Sequence, residues 1–349
     1  MMRGVFAMLV LTLSLNATAA QESTTAAPGA HERIDPAFDT IIDRNAPVEL
    51  LASGYGFTEG PVWMPQLRAL LFSDLPGNVV HRYDPRSGKA AVYLLNAGFT
   101  GPDLWRWGGM NDNSLDRSDP RFEEFAMLGP DGLAVDAQGR LILTTFAGRS
   151  IVRLEKNGKR TVLAEGYRGQ RFNGTNDVVV KRDGAIYFTD TFGGLRKRGD
   201  DPRKEIAINA VYRWKDGNVD QLVRDMANTN GLAFSPDEKL LYVNASRDNY
   251  VRVYDVSDDG TVANGRMFID LRGHAEKGVT DGMKVDTQGN VYVTGPGGIW
   301  VITPAGRHIG TIHVPEVAIN MAFGDGDRKS LYITAHAGLY RTRVKVPGI

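Results

Sequence analysis

The chain has 349 residues, with 41 Lys and Arg against 41 Asp and Glu, and no cysteine. A formal net charge of zero argues against nucleic acid or an acidic membrane as the main partner, since both call for a basic surplus. Without cysteine there are no disulfides, thiolate zinc sites, iron–sulfur clusters or Cys nucleophile.

Taken from the start, residues 1–19 read as a signal peptide. Arg3 supplies the positive charge, Gly4 to Leu15 is an apolar run too short to span a bilayer, and Ala17-Thr18-Ala19 is a small-x-small cleavage site. Export to a periplasm or beyond is expected. Residues 20–37, rich in Thr, Ala, Pro and Gly, read as a flexible tether. No later stretch approaches the ~18 apolar residues of a transmembrane helix. Residues 38–349 are then expected to form a single domain.

Within it a pattern recurs six times. A polar residue, usually after Thr or Pro and before Gly or Asp, precedes an apolar run: Thr58-Glu59-Gly60, Pro130-Asp131-Gly132, Thr175-Asn176-Asp177, Thr229-Asn230-Gly231, Thr280-Asp281-Gly282 and Ile319-Asn320-Met321. Each is followed 13 or 14 residues later by a small polar residue closing a β-rich run: Ser73, Thr144, Thr189, Asn244, Thr294 and Thr334. Hairpin turns such as Gln138-Gly139, Asp183-Gly184 and Gln288-Gly289 lie between the two marks. Two further short strands usually follow. The unit is four antiparallel strands, the signature of a propeller blade. The fold predicted is an all-β, six-bladed β-propeller with four-stranded blades around a central channel. Val48-Glu49-Leu50-Leu51 is expected to add the outer strand of the last blade and close the ring. A parallel α/β fold is rejected, because no segment sustains a 3.6-residue period.

The first strand of every propeller blade lines the channel, so Glu59, Asp131, Asn176, Asn230, Asp281 and Asn320 should converge there. Three carboxylates packed together raise each other's pKa. A cation resolves that conflict, and an oxygen-only ligand set suits Ca²⁺ or Mg²⁺ before zinc. Asx residues also cap turns, which accounts for Asp131 or Asn320 taken singly but not for six positions together.

Phe57-Thr58-Glu59-Gly60-Pro61-Val62-Trp63, Phe72-Ser73-Asp74, Asn176-Asp177-Val178-Val179-Val180, Tyr187-Phe188-Thr189-Asp190, Asn230-Gly231-Leu232-Ala233-Phe234-Ser235-Pro236-Asp237 and Asp281-Gly282-Met283-Lys284-Val285-Asp286 together make the chain resemble the regucalcin (senescence marker protein)/gluconolactonase family. The resemblance implies one divalent cation on the axis, Ca²⁺ first with Mg²⁺, Mn²⁺ or Zn²⁺ as substitutes. Its implied ligands are Glu59, Asn176, Asn230 and Asp281. It also implies Asp281 as general base and Asn176 as a residue touching substrate. Asp131 departs from the Asn common at that position, adding either charge or a different substrate contact.

The long stretch Asn96 to Glu124, with Trp105 and Trp107, is expected to overhang the metal face, with both tryptophans roofing the substrate. Thr191 to Asn209 should project from the same face; its mixed charges read as a solvated loop rather than an anion site. His274 lies in the link between blades four and five and is the main histidine candidate for a base. No Gly-x-Ser-x-Gly elbow occurs, which disfavours a serine hydrolase. The function expected is metal-dependent opening of a small-molecule lactone. Phosphotriester or fluorophosphate hydrolysis on the same metal is the second reading, and a non-catalytic binding propeller with a structural cation the third. A quinone-dependent sugar dehydrogenase is disfavoured, because the axis positions lack cationic and histidine contacts.

Overall fold

Each of the six repeats folds as a four-stranded antiparallel sheet. Blade one runs Thr58–Met64, Ala69–Asp74, Val79–Asp84, Lys89–Leu95; blade two Leu133–Val135, Leu141–Thr144, Ile151–Leu154, Arg160–Ala164; blade three Thr175–Val180, Ile186–Asp190, Ala210–Lys215, Asn218–Val223. Blade four runs Thr229–Phe234, Leu240–Ala245, Tyr250–Val256, Val262–Asp270; blade five Met283–Val285, Val291–Gly295, Gly298–Ile302, His308–Ile312; blade six Ala318–Gly324, Ser330–Ala335, Gly338–Arg343. The computed structural model describes residues 31–102, 107–112, 116–120 and 122–349. The leader expected over residues 1–19, residues 20–30 of the expected tether, and Trp105 lie outside the described residues.

Each innermost strand packs beside that of the next blade, and the sixth packs beside the first, so the sheets close into a ring. The fourth strand of blade six comes from the other end of the chain: Glu49–Ser53 pairs antiparallel with Gly338–Arg343. The closing strand anticipated around Val48 to Leu51 is therefore present. Within the stretch read as a tether, Glu32–Arg33 adds a fifth strand to blade five, opposite Gly310 and Thr311. Pro36–Thr40 then forms a 3-10 turn, with Asp35 capping it by accepting from the Ala37 amide. Among the described residues, no helix is long and apolar enough to cross a membrane.

The second strand of a blade is covered on both faces by neighbouring blades. All six residues of Ala69–Asp74 are buried, which is why these strands read as near-continuous apolar runs rather than alternating ones. The core is accordingly divided into layers, each between two successive blades. Leu70, Phe72 and Tyr83 of blade one meet Ala322, Tyr332 and Leu339 of blade six in one such layer. Tyr187, Tyr242, Tyr292 and Tyr332 occupy matching places in four blades and are fully or almost fully buried. Buried phenols need partners. Tyr187 donates to the Gly260 carbonyl at 2.6 Å and Tyr332 to Asp325 at 2.8 Å.

Candidate functional site

The recurring triplet, Thr-x-Gly in its commonest form and Thr-Asn-Asp at Thr175, is a joint between blades. Its Thr hydroxyl reaches back to the preceding blade: Thr58 donates to Gly338 O at 3.2 Å, Thr175 to Ser150 O at 2.9 Å and Thr280 to Ala245 O at 2.9 Å. Its Gly lets the next blade come close. A Cβ at Gly60 would lie 2.0 Å from Asp131 O, and one at Gly231 would lie 2.0 Å from Asp281 O. Gly60 also has φ +50°, where a side chain is strained. The residue between Thr and Gly is thereby held at the axis with its side chain toward the channel.

Glu59, Asp131, Asn176, Asn230 and Asp281 line one cavity of about 560 Å³ on the face where the innermost strands begin. Asn320, the sixth repeat position, stands behind them and donates to Glu59. Asn176 donates from Nδ2 to Asp131 Oδ2 at 2.6 Å. Burial raises all three carboxyls, and their mutual repulsion adds to it. Glu59 is pushed up to about 7, by desolvation first and then by the charge of Asp177. Asp131 and Asp281 rise well above the usual carboxylate range, again by desolvation first and then by the charge of Glu59. Asp281 Oδ1 is buried and has no hydrogen-bond partner.

Asp177, which sequence reasoning passed over, adds to this negative charge. It occupies the place held by Gly60, Gly132, Gly231 and Gly282 in other repeats and by Met321 in the sixth, and it too is raised by burial, with Lys284 pulling it back. Lys284 Nζ donates to Asn320 Oδ1 at 3.3 Å, and its charge partly compensates both Asp177 and Glu59.

The second repeat mark also has a role the sequence did not disclose. Ser73 donates to Asp131 O at 2.7 Å, and Thr144 donates to Asn176 O. Asn244 donates to Asp281 O, and Thr294 accepts from the Asp281 amide at 2.8 Å. Thr189 accepts from the Asp177 amide at 3.0 Å. These small polar side chains thus brace the backbone at or beside the axis residues, which explains the constant spacing of the two marks.

Links between strands build the cavity walls. In the long insertion, Met110–Asp112 pairs with Glu124–Ala126. Gly109 donates to Gly193 O at 3.0 Å, joining this hairpin to the Thr191 loop. Met110 and Asn111 line the cavity, so the insertion does overhang it. Trp107 does not take the roofing place expected of it. It is absent from the cavity wall and packs against Phe99, with the Arg203 guanidinium 4.4 Å above its ring. His274 also faces elsewhere, edge-on to Trp300 at 4.7 Å. The histidine in the wall is His336, on the turn after Ser330–Ala335, with φ 36° and its ring 5.3 Å from Phe57. Burial lowers its pKa, against a smaller opposite pull from Asp112.

Among the described residues, no three acidic or histidine side chains close into a ready-made metal cage. The set here mixes carboxylates with the amides of Asn176 and Asn230. It still fits a hard cation: the donors are all oxygens, the carboxyls destabilise one another when ionised, and Asp281 Oδ1 lacks a partner.

Residues 57–337 match the family described as SMP-30/Gluconolactonase/LRE-like region. The chain is 31% identical to a gluconolactonase of Zymomonas mobilis, covering 90% of this chain and 86% of that protein. It is 27% identical to a pentonolactonase of Haloferax volcanii, covering 80% and 81%. A solved gluconolactonase structure from Xanthomonas campestris matches with a TM-score of 0.76 at 28% identity, covering 94% of this chain and 99% of that one. A six-bladed ring that gathers its repeated Glu, Asp and Asn positions in one cavity, together with a match that spans nearly all of the propeller, places this chain in the SMP-30/gluconolactonase/LRE-like family.

Proposed function

We propose that the protein opens a lactone ring by hydrolysis, with an aldonolactone as the substrate class, and that Glu59, Asn176, Asn230 and Asp281 hold one divalent cation, Ca²⁺ first. The observation that carries this reading is the convergence of three mutually destabilised carboxyls and two amides in one cavity. A bound divalent cation supplies Lewis-acid polarisation of an ester carbonyl and stabilises the developing oxyanion. A cavity of about 560 Å³ suits a hexose-sized ring.

The chain's own residues divide the remaining work. Asp281, whose Oδ1 is buried in the wall without a hydrogen-bond partner, accepts the proton of the attacking water. Asp131 and Asn176, linked by their 2.6 Å hydrogen bond, present an acceptor and an amide carbonyl to substrate hydroxyls. Phe57, Phe146 and Ile319 give the wall an apolar share that limits water around the reacting ester. Export is the setting we infer for this activity, from the signal-peptide pattern of Arg3, the apolar run and Ala17-Thr18-Ala19, and intact-mass analysis of the secreted protein tests it.

The test is ring opening over a panel of aldonolactones and paraoxon-like esters, each with and without chelator. Chelator-sensitive turnover of lactones supports the proposal. Turnover confined to the phosphotriesters would replace it with the second reading, and cation-dependent stability without any turnover would leave a binding propeller.

A further inference from the structure

Charge is segregated within the cavity. Its carboxylates, Glu59, Asp131 and Asp281, all stand at the starts of innermost strands. Its fixed cations, Arg198, Arg247 and Lys277, all stand on links between strands. Arg198 comes from the Thr191–Asn209 loop of blade three, and Arg247 from the turn between the second and third strands of blade four. The two guanidiniums are close enough for Arg247 to depress the basicity of Arg198, after the larger effect of burial.

Two like charges are costly to hold together unless something of opposite sign joins them. Among the described residues, neither Arg198 nor Arg247 forms an ion pair with a carboxylate. Nearby acids are engaged elsewhere: Asp201 is gripped by Arg203 at 2.7 Å, and Asp248 accepts from Asn228 at 3.1 Å. Arg198 is also held in place, donating from Nη2 to Met110 O at 2.9 Å. That bond fixes it against the overhanging hairpin and leaves its remaining N–H groups for a ligand.

Building on the lactonase reading, we propose that Arg198 and Arg247 form an anion-recognising subsite at the cavity wall, so that the preferred substrate is a lactone bearing a phosphate, sulfonate or carboxylate remote from its ring carbonyl. The axis residues receive the ester while the guanidiniums receive the anion. Forked donors suit such oxyanions, since each guanidinium can give two parallel N–H bonds. The mixed composition of the Thr191–Asn209 loop hid this role: Asp201 is held by Arg203 and Glu205 lies against Arg149, while Arg198 lines the cavity.

The experiment compares kcat/KM for a neutral hexonolactone, its 6-phosphate, its 6-sulfonate and the corresponding aldarolactone with a free C6 carboxylate, in the wild type, Arg247→Gln, Arg247→Glu and the Arg198→Gln/Arg247→Gln double variant. The wild type should favour at least one charged substrate by about tenfold or more. The charged-to-neutral ratio should fall by about tenfold in Arg247→Gln and further in the other two, and the preference should weaken with added salt. Which substituent is favoured identifies the anion. Equal efficiency for charged and neutral lactones, or an unchanged ratio in the variants, overturns the subsite while leaving the lactonase reading intact. Should no lactone be opened, calorimetric titration with the ring-opened 6-phosphate decides the subsite separately: binding lost in the double variant supports it, and binding absent in the wild type or unchanged in the variant refutes it. Arg247 lies on an exposed turn, so its single variants test the idea even if Arg198→Gln fails to fold.

Discussion

Asn320 Nδ2 donates to Glu59 Oε2 at 2.7 Å, tying the amide that opens blade six to the carboxylate that opens blade one. The amide is oriented from behind, its Oδ1 accepting from the Met321 backbone N–H at 2.8 Å and from Lys284 Nζ at 3.3 Å. With the oxygen so occupied, the NH₂ must face Glu59, and the carboxylate is aimed into the cavity before any cation arrives.

Replacing Asn320 with Leu should therefore act on both stability and cation affinity. A buried carboxylate losing one donor typically costs about 1–3 kcal/mol. Urea unfolding should show a loss of that order, and the midpoint of Ca²⁺ titration should move to higher concentration. An unchanged titration would mean that Glu59 does not depend on Asn320 for its aim.

Stability should fall with rising pH without cation and hold steady with it. Glu59 in the folded protein binds its proton more tightly than the unfolded chain does, with a pKa raised from 4.5 to about 7. The folded state then holds more protons over that window. Its advantage is full below the unfolded value and is lost as pH rises through the folded one. In excess chelator, Tm should fall steadily between about pH 5 and pH 8. Ca²⁺ should remove that fall, because binding to the native state stabilises it and offsets the repulsion. A flat or rising profile in chelator would contradict the assignment of the axis carboxyls.

Glu59→Gln and Asp281→Asn should differ in kind. Each removes one carboxylate charge, and each should weaken cation binding. With saturating Ca²⁺, Glu59→Gln should regain part of its lactonase activity. Asp281→Asn should stay depressed by about 10²-fold or more, the usual cost of losing a general base. Near-normal turnover of Asp281→Asn under saturating cation would make Asp281 a ligand alone and direct the search for the base to Asp131 and His336.

Gly231→Ala tests the joint between blades four and five. Its Cβ would meet Asp281 O at 2.0 Å and the Asn244 amide nitrogen at 2.6 Å. Asn244 is the side chain that donates to Asp281 O. The added methyl must push both aside, and overpacking of this sort costs about 1–3 kcal/mol. Thermal unfolding should show the loss, with activity reduced alongside it. The same change at Gly184, on an open hairpin turn with nothing within 4 Å, separates backbone strain from crowding at the axis.

The repeats were legible because ring symmetry imposes one requirement six times. Glu59 and Asn230 stand in equivalent places for the same steric reason, so the motif around each supports the other. The marks Ser73 and Thr294 were visible as a period, but their hydrogen bonds to axis backbone required coordinates, since the backbone partner lies in the next blade for one and in the same blade for the other. Loops carry no such repetition. Trp107 read as a roof, yet it is drawn to Phe99 and the Arg203 guanidinium. His336 and Arg198 sit on links between second and third strands, whose lengths vary from blade to blade, so nothing in the pattern pointed to them.

The pairing of Glu49–Ser53 with Gly338–Arg343 has a consequence for synthesis in the cell. The strands of five complete blades lie between the two partners in sequence, so the ribosome releases the later one only after those blades. Until then the earlier strand has no mate, and the growing protein is an incomplete circle with a bare flank at each side. Such flanks invite pairing with other chains. Premature termination anywhere before Gly338 leaves the circle broken however many blades have formed, so a truncated product should be cleared or aggregate rather than persist as a weaker version of the whole.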